Sequence, residues 1–206
     1  MVSIRKRAIS PEQKALRRQQ ILDAAGEMFA REQYEDVKLS VLARHVGITK
    51  PALYRYFRGK EVLFLALYEQ EIARIIEDFR NRAKPEELSR AMAEVYAERP
   101  LFCRLSAILH SVLERDLTYD EALEFKLKMK DIAADFLEVF SVWFEETDPE
   151  VLYPMLIHAQ QAVIGAWLMA HPRGTMADVL ARDDMAVFRV DFQTSLEQHL
   201  HRIFGR

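Results

Sequence analysis

The residues best suited to chemistry lie between Lys38 and Lys60, where cations and phenols crowd two short apolar-periodic stretches separated by Gly47-Ile48-Thr49. The second stretch turns Leu53 and Phe57 inward and leaves Lys50, Ala52, Tyr54, Arg55 and Tyr56 mostly outside. A helix that is cationic, aromatic and too short for a core element suits the major groove of DNA. Gly47 sits where the chain must turn sharply, and a glycine takes the left-handed conformation there at little steric cost. Ile48 is placed to plug the corner and Thr49 to cap the following helix.

Enzymatic chemistry finds little support. His199 and His201 are two apart on a helix and face different ways, whereas metal-binding pairs need a spacing of three or four. His45, His110, His158 and His171 are scattered, and no Gly-rich phosphate loop, nucleophile elbow or Cys-His pairing stands in the sequence. No catalytic residue, metal or cofactor is expected.

Residues 1–60 hold 13 Lys and Arg against 6 Asp and Glu, while the remainder holds 16 against 26. A small basic module joined to a larger acidic body suggests that one end meets a polyanion. Cys103 is the only cysteine, so no intrachain disulfide can form and the cytoplasm is the expected compartment. The charges at Arg5-Lys6-Arg7 are not followed by an apolar run, unlike a secretory signal. Residues 151–172 lack Asp, Glu, Lys and Arg, but Pro154, His158, Gln160, Gln161 and His171 suit lipid poorly. That stretch reads as a helix buried on more than one side, and no membrane partner is expected.

Few glycines and prolines and abundant Ala, Leu, Glu and Arg predict an all-α fold of about nine helices. Ser10-Pro11-Glu12-Gln13 opens the first helix with a capping box, and its inward stripe is Leu16, Ile21, Ala24, Ala25, Met28 and Phe29. Short helices over 39–46 and 50–57 complete a three-helix module. A long helix runs from Lys60 to about Arg82, stopped at Lys84-Pro85, and others span 85–97 and 100–115. Thr118 opens a further helix, Thr147-Asp148 caps the uncharged one at 149–170, and a last helix starts near Asp184. The domains expected are 1–60 and 61–206.

The run from Tyr34 to Leu67, with Leu42-Ala43, Gly47-Ile48-Thr49, Leu53-Tyr54, Phe57 and Lys60-Glu61, resembles the DNA-binding region of the TetR/AcrR regulators. The preceding Ile21, Ala24-Ala25 and Phe29 fit as well. The resemblance implies a helix-turn-helix contacting a double-stranded DNA operator. Thr49 and the amides behind it would hold a phosphate, Tyr54 would bond a phosphate, and Tyr56 would reach phosphate or pack on sugar. Lys60 would contact the DNA backbone. Lys50, Pro51 and Ala52 would meet base edges, and Arg55 would read a guanine or bind phosphate. Ser40 falls where a base-reading side chain can occur. Lys38 stands where the family places a capping Thr or Ser, so that cap is lost, though a lysine can still find a phosphate. Pro51 replaces a frequent glycine. Arg44, Arg58 and the arm at 5–7 read equally as DNA contacts or as solvated surface.

The resemblance further implies a homodimer joined by the last two helices and a small-molecule effector that releases a repressor; an activator or a protein-sensing relative stays open. The apolar excess agrees with a partner, at Ile157, Gln161, Ile164, Leu168, Phe188, Phe192, Leu196 and Leu200. Candidate effector-pocket residues are Tyr68, Phe102, His110, Phe125, Met129, Phe136, Phe140 and Trp167.

Overall fold

A computed structural model of the chain describes residues 10–82, 87–144 and 148–205. The expectations placed on Arg5-Lys6-Arg7, on Lys84-Pro85 and on Thr147 lie outside these residues. The described residues are all-α, with no strand among them. Their contacts fall into two compact units, residues 1–67 and 68–206.

The first unit begins with α1 (Pro11–Arg31). Its Ser10 cap accepts from the Gln13 amide while Gln13 returns a bond to the Ser10 amide. Next come α2 (Leu39–His45), α3 (Lys50–Leu53) and the opening of α4 (Lys60–Asn81). Phe64 anchors the core, receiving ring edges from Phe29 at 5.2 Å and Tyr34 at 4.9 Å. Each such pair adds about 0.5–1.5 kcal/mol beyond area burial. Leu16, expected on the inward stripe of α1, is 61% exposed. The buried side of α1 starts only at Ile21, one turn later, because the earlier turns face solvent.

The second unit holds the rest of α4 with α5 (Leu88–Ala97), α6 (Pro100–Ile108), α7 (Tyr119–Phe144), α8 (Pro149–Ala170), α9 (Thr175–Leu180) and α10 (Phe192–Phe204). Phe79 on α4 is fully buried, with the rings of Tyr96, Phe136, Phe140 and Trp143 packed around it. Arg99 grips Asp78 through two bonds of 2.7 and 2.8 Å, tying the start of α6 to α4. A π turn, Leu109–Leu113, follows α6 where the sequence predicts continuous helix. Thr118 caps α7, as expected, bonding reciprocally with Glu121, and Asp148 caps α8 through the Glu150 amide.

The expected single helix from Asp184 is divided. A 3-10 turn, Asp183–Phe188, ends in extended backbone at Arg189, and α10 starts afresh at Phe192. Arg189 donates to the carbonyls of Leu180, Ala181 and Arg182, closing the end of α9. Asp191 accepts from the Thr194 amide and becomes a new cap. A carboxylate that satisfies an orphan amide starts a helix where apolar spacing alone would carry one through.

On α10, Phe192, Leu196 and Leu200 are buried against α5 and α8. The sequence reading set these three at a partner-facing surface; they instead complete the core of their own unit, because α10 lies in the groove between those helices. α8 is long and apolar enough to cross a membrane by length and composition. It buries Leu152, Ala159, Val163, Ala166 and Trp167 but leaves Ile157, Leu168 and Met169 exposed, so it is covered on one side only.

Cys103 is fully buried and its thiol donates to the Tyr96 carbonyl. Burial pushes that thiol up to about 12, and a thiol of that kind is a poor nucleophile. Native protein at mildly alkaline pH should therefore resist iodoacetamide, while urea-unfolded protein should label fully. Mass spectrometry showing rapid labelling of the native state would refute the packing described for α6.

Candidate nucleic-acid interface

The corner between α2 and α3 is built from backbone. Gly47 has φ +73, and the Ile48 amide reaches back to the Ala43 carbonyl at 2.9 Å. A Cβ at Gly47 would meet nothing within 4 Å, so the demand for glycine is conformational and not steric. Arg17 on α1 donates to the Val46 carbonyl at 3.1 Å and fixes the corner against the first helix. Thr49 caps α3 by accepting from the Ala52 amide. Lys38 makes no side-chain cap for α2, as the sequence implies.

Only Lys50–Leu53 is regular helix; the chain turns through residues 54–56 before α4. Leu53 and Phe57 are buried, holding the short rod from beneath, and the Arg18 guanidinium lies 5.1 Å from the centre of the Phe57 ring. Thr49, Lys50, Pro51, Tyr54 and Arg55 are exposed, with Ala52 and Tyr56 half-buried. Lys38, Ser40 and Arg44 lie exposed on or beside α2. The Lys50 ammonium stands 5.8 Å from the Tyr54 ring, which gathers a cation and a phenol on one outward side. This arrangement presents hydrogen-bond donors to a polyanion.

Lys60 sits differently from the rest. Its ammonium lies 4.0 Å from the Tyr34 ring centre and donates to the Tyr34 carbonyl. Burial pulls it below the usual lysine range, against the opposing pull of Glu35, Glu61 and Asp36. The Tyr34 hydroxyl donates to Glu61 at 2.8 Å, so Tyr34, Lys60 and Glu61 form one knot at the start of α4. Arg17, Arg18 and this knot escaped the sequence reading. Their partners lie 26 to 39 positions away, and no periodicity links a helix to a distant carbonyl or ring.

The second unit contains a cavity of about 420 Å³. Six of the residues expected to line a pocket do so: Tyr68, Phe102, His110, Phe125, Met129 and Phe136. Phe140 and Trp167 do not. Phe140 packs with Phe79, Trp143 and Phe204, while Trp167 stacks on His171 and meets Phe192 edge-on. Ile157, Gln161 and Ile164, expected at a dimer face, belong to the cavity wall. Leu168 and Phe188 are exposed. The Tyr68 hydroxyl accepts from Gln160 at 3.2 Å, and burial raises its pKa well above the ordinary phenol value.

Residues 21–67 match the family model for bacterial regulatory proteins of the tetR family, and residues 65–204 match that for the tetracyclin repressor-like C-terminal domain. The HTH-type transcriptional repressor AcnR of Corynebacterium diphtheriae is 38% identical over 69 residues, 34% of this chain and 36% of that protein. The fatty acid metabolism regulator protein of Bacillus subtilis is 32% identical over 66 residues, 32% of this chain and 34% of that protein. The chain therefore aligns with only about a third of the length of these relatives. Among solved structures, a tetR-family transcriptional regulator from Streptomyces coelicolor superposes with a TM-score of 0.58 at 16% identity, covering 92% of this chain and 79% of that one. The fatty acid degradation regulator FadR of Bacillus halodurans gives 0.55 at 19% identity, covering 97% of both chains. At these identities the likeness concerns the fold.

Gly47→Ala forces a side chain into the left-handed region and should cost about 1–2 kcal/mol. Urea unfolding of the full chain measures this; an unchanged midpoint would show that the corner does not depend on its glycine.

Proposed function

The chain belongs to the TetR family, and from that premise we propose that it is a DNA-binding transcriptional regulator, a ligand-responsive homodimeric repressor of a palindromic operator. The observation that carries the reading is the exposed outer side of α3, held out by the Gly47 turn with Leu53 and Phe57 buried behind it. Lys50, Pro51 and Ala52 would meet base edges; Tyr54 and Tyr56 would fix the register on the sugar-phosphate backbone. Arg55 would take a guanine or a phosphate, with Ser40, Arg44 and Lys38 flanking. Lys60 serves chiefly to hold the start of α4, since its ammonium is engaged by Tyr34. The protein would work in the cytoplasm, where its operator lies.

A symmetric pair would place two such helices in successive major grooves, about 34–36 Å apart. The apolar side of α8 left uncovered at Leu168 and Met169 supports a second copy as its partner. The buried Phe192, Leu196 and Leu200 would back that interface from within and not touch the partner. The cavity supports an effector, being of the size usual for small-molecule sites. α4 is one unbroken helix from Lys60 to Asn81, and Tyr68 and Ile72 on it line the cavity. An effector that binds one position of α4 more tightly than another would shift the separation of the two recognition helices.

The test is fluorescence anisotropy with duplexes from the region upstream of the chain's own gene, over a range of salt. Binding should weaken steeply as salt rises. Lys50→Ala should lower affinity for some base-pair variants much more than for others. If Arg55 holds a phosphate, Arg55→Ala should flatten the slope of log K against log salt by about 0.9. If it reads guanine, the loss should be about 1–3 kcal/mol at one base pair. Affinity that ignores both salt and Lys50→Ala would end the proposal.

A further inference from the structure

The cavity in the second unit has one face unlike the others. Its wall is mainly apolar, and within it Tyr96, Phe102 and Tyr68 follow one another as stacked rings, with centroids 5.8 and 5.4 Å apart. The π turn and α7 add His110 and Lys126 to the same wall. π turns of this single-turn kind concentrate at functional sites. Lys126 is the only permanently charged side chain on the wall among the described residues, and its ammonium lies 5.3 Å from the centre of the buried Phe125 ring.

Both polar groups are held by one carboxylate that is not itself on the wall. Glu114 accepts from Lys126 at 2.6 Å through one oxygen and stands 3.0 Å from His110 Nδ1 through the other. Burial opposes its charge, but these two partners win and keep its carboxyl below the usual range. Glu114 thus satisfies two polar groups of the cavity wall that a ligand's own anionic group would otherwise bond.

Resting on the reading of this chain as an effector-responsive regulator, we propose that the cavity takes an amphipathic anion. Its apolar body lies against the rings of Tyr68, Phe102 and Phe125, and its carboxylate or equivalent acidic group bonds Lys126, displacing Glu114. An amine is disfavoured because it would have to compete with Lys126 and His110 for Glu114, the carboxylate they already hold. An uncharged analogue fits the rings but forgoes the charge-assisted bond.

Isothermal titration calorimetry on the full-length protein tests this with dodecanoate, dodecan-1-ol and dodecylamine as probes of equal chain length. Dodecanoate should bind about tenfold or more tighter than the alcohol, the worth of one hydrogen bond to a charged group. Lys126→Met should erase that gap while leaving the alcohol unchanged; the residue is largely exposed, so the fold tolerates the change. Glu114→Gln, which removes the competing charge, should strengthen dodecanoate and not the alcohol. The proposal is overturned if the amine binds as tightly as the carboxylate, if Lys126→Met leaves the gap in place, or if dodecanoate does not saturate. Anisotropy on an operator duplex, run in parallel, separates the two readings. Carboxylate preference with unaltered DNA affinity would contradict effector response and leave the cavity assignment standing. DNA binding with no carboxylate preference would do the reverse.

Discussion

A backbone turn at Gly47 decides whether the two short helices before and after it form a usable element. α3 has a single turn of regular helix, far below the length at which a helix sustains itself in water. It persists because its ends are fixed: Thr49 caps its amides, Ile48 returns a bond to Ala43, and Arg17 holds the carbonyl just before the corner. Leu53 and Phe57 sink into the core beneath. Every polar group left over on α3 then faces outward, since the inner side is already filled.

The same logic governs the start of α4. Tyr34 offers its ring and carbonyl to Lys60 and its hydroxyl to Glu61, so a cation that would otherwise sit free in solvent is used to register one helix against the loop before α2. A lysine held in such a knot and a lysine left in solvent look identical in a sequence. What separates them is a neighbour 26 residues away in the chain.

Much of the fold was legible from residue types, and the reasons are local. Ser10, Thr49, Thr118 and Asp148 cap the helices they precede, and Gly47 takes the left-handed turn, because such residues act on amides or torsions within three positions. Apolar periodicity shows that a helix has an inner face, but not what covers it. Phe192, Leu196 and Leu200 read as interface and proved to be core, because α10 settles against α5 and α8 of its own chain. Leu16 misled in the opposite direction. Five aromatic or apolar positions around the cavity, and His110, could be named in advance, since large side chains on several helices converge somewhere. The meeting of His110, Glu114 and Lys126 could not, because it depends on a π turn and on the packing of that turn against α7.

Residues 38–58 are proposed as the surface that meets duplex DNA. Hydrogen–deuterium exchange on the full chain, with and without a duplex that it binds, tests this most directly. Amide exchange should slow through α2, the Gly47 corner and α3 when the duplex is added. Unchanged exchange there, with protection appearing only within residues 68–206, would contradict it.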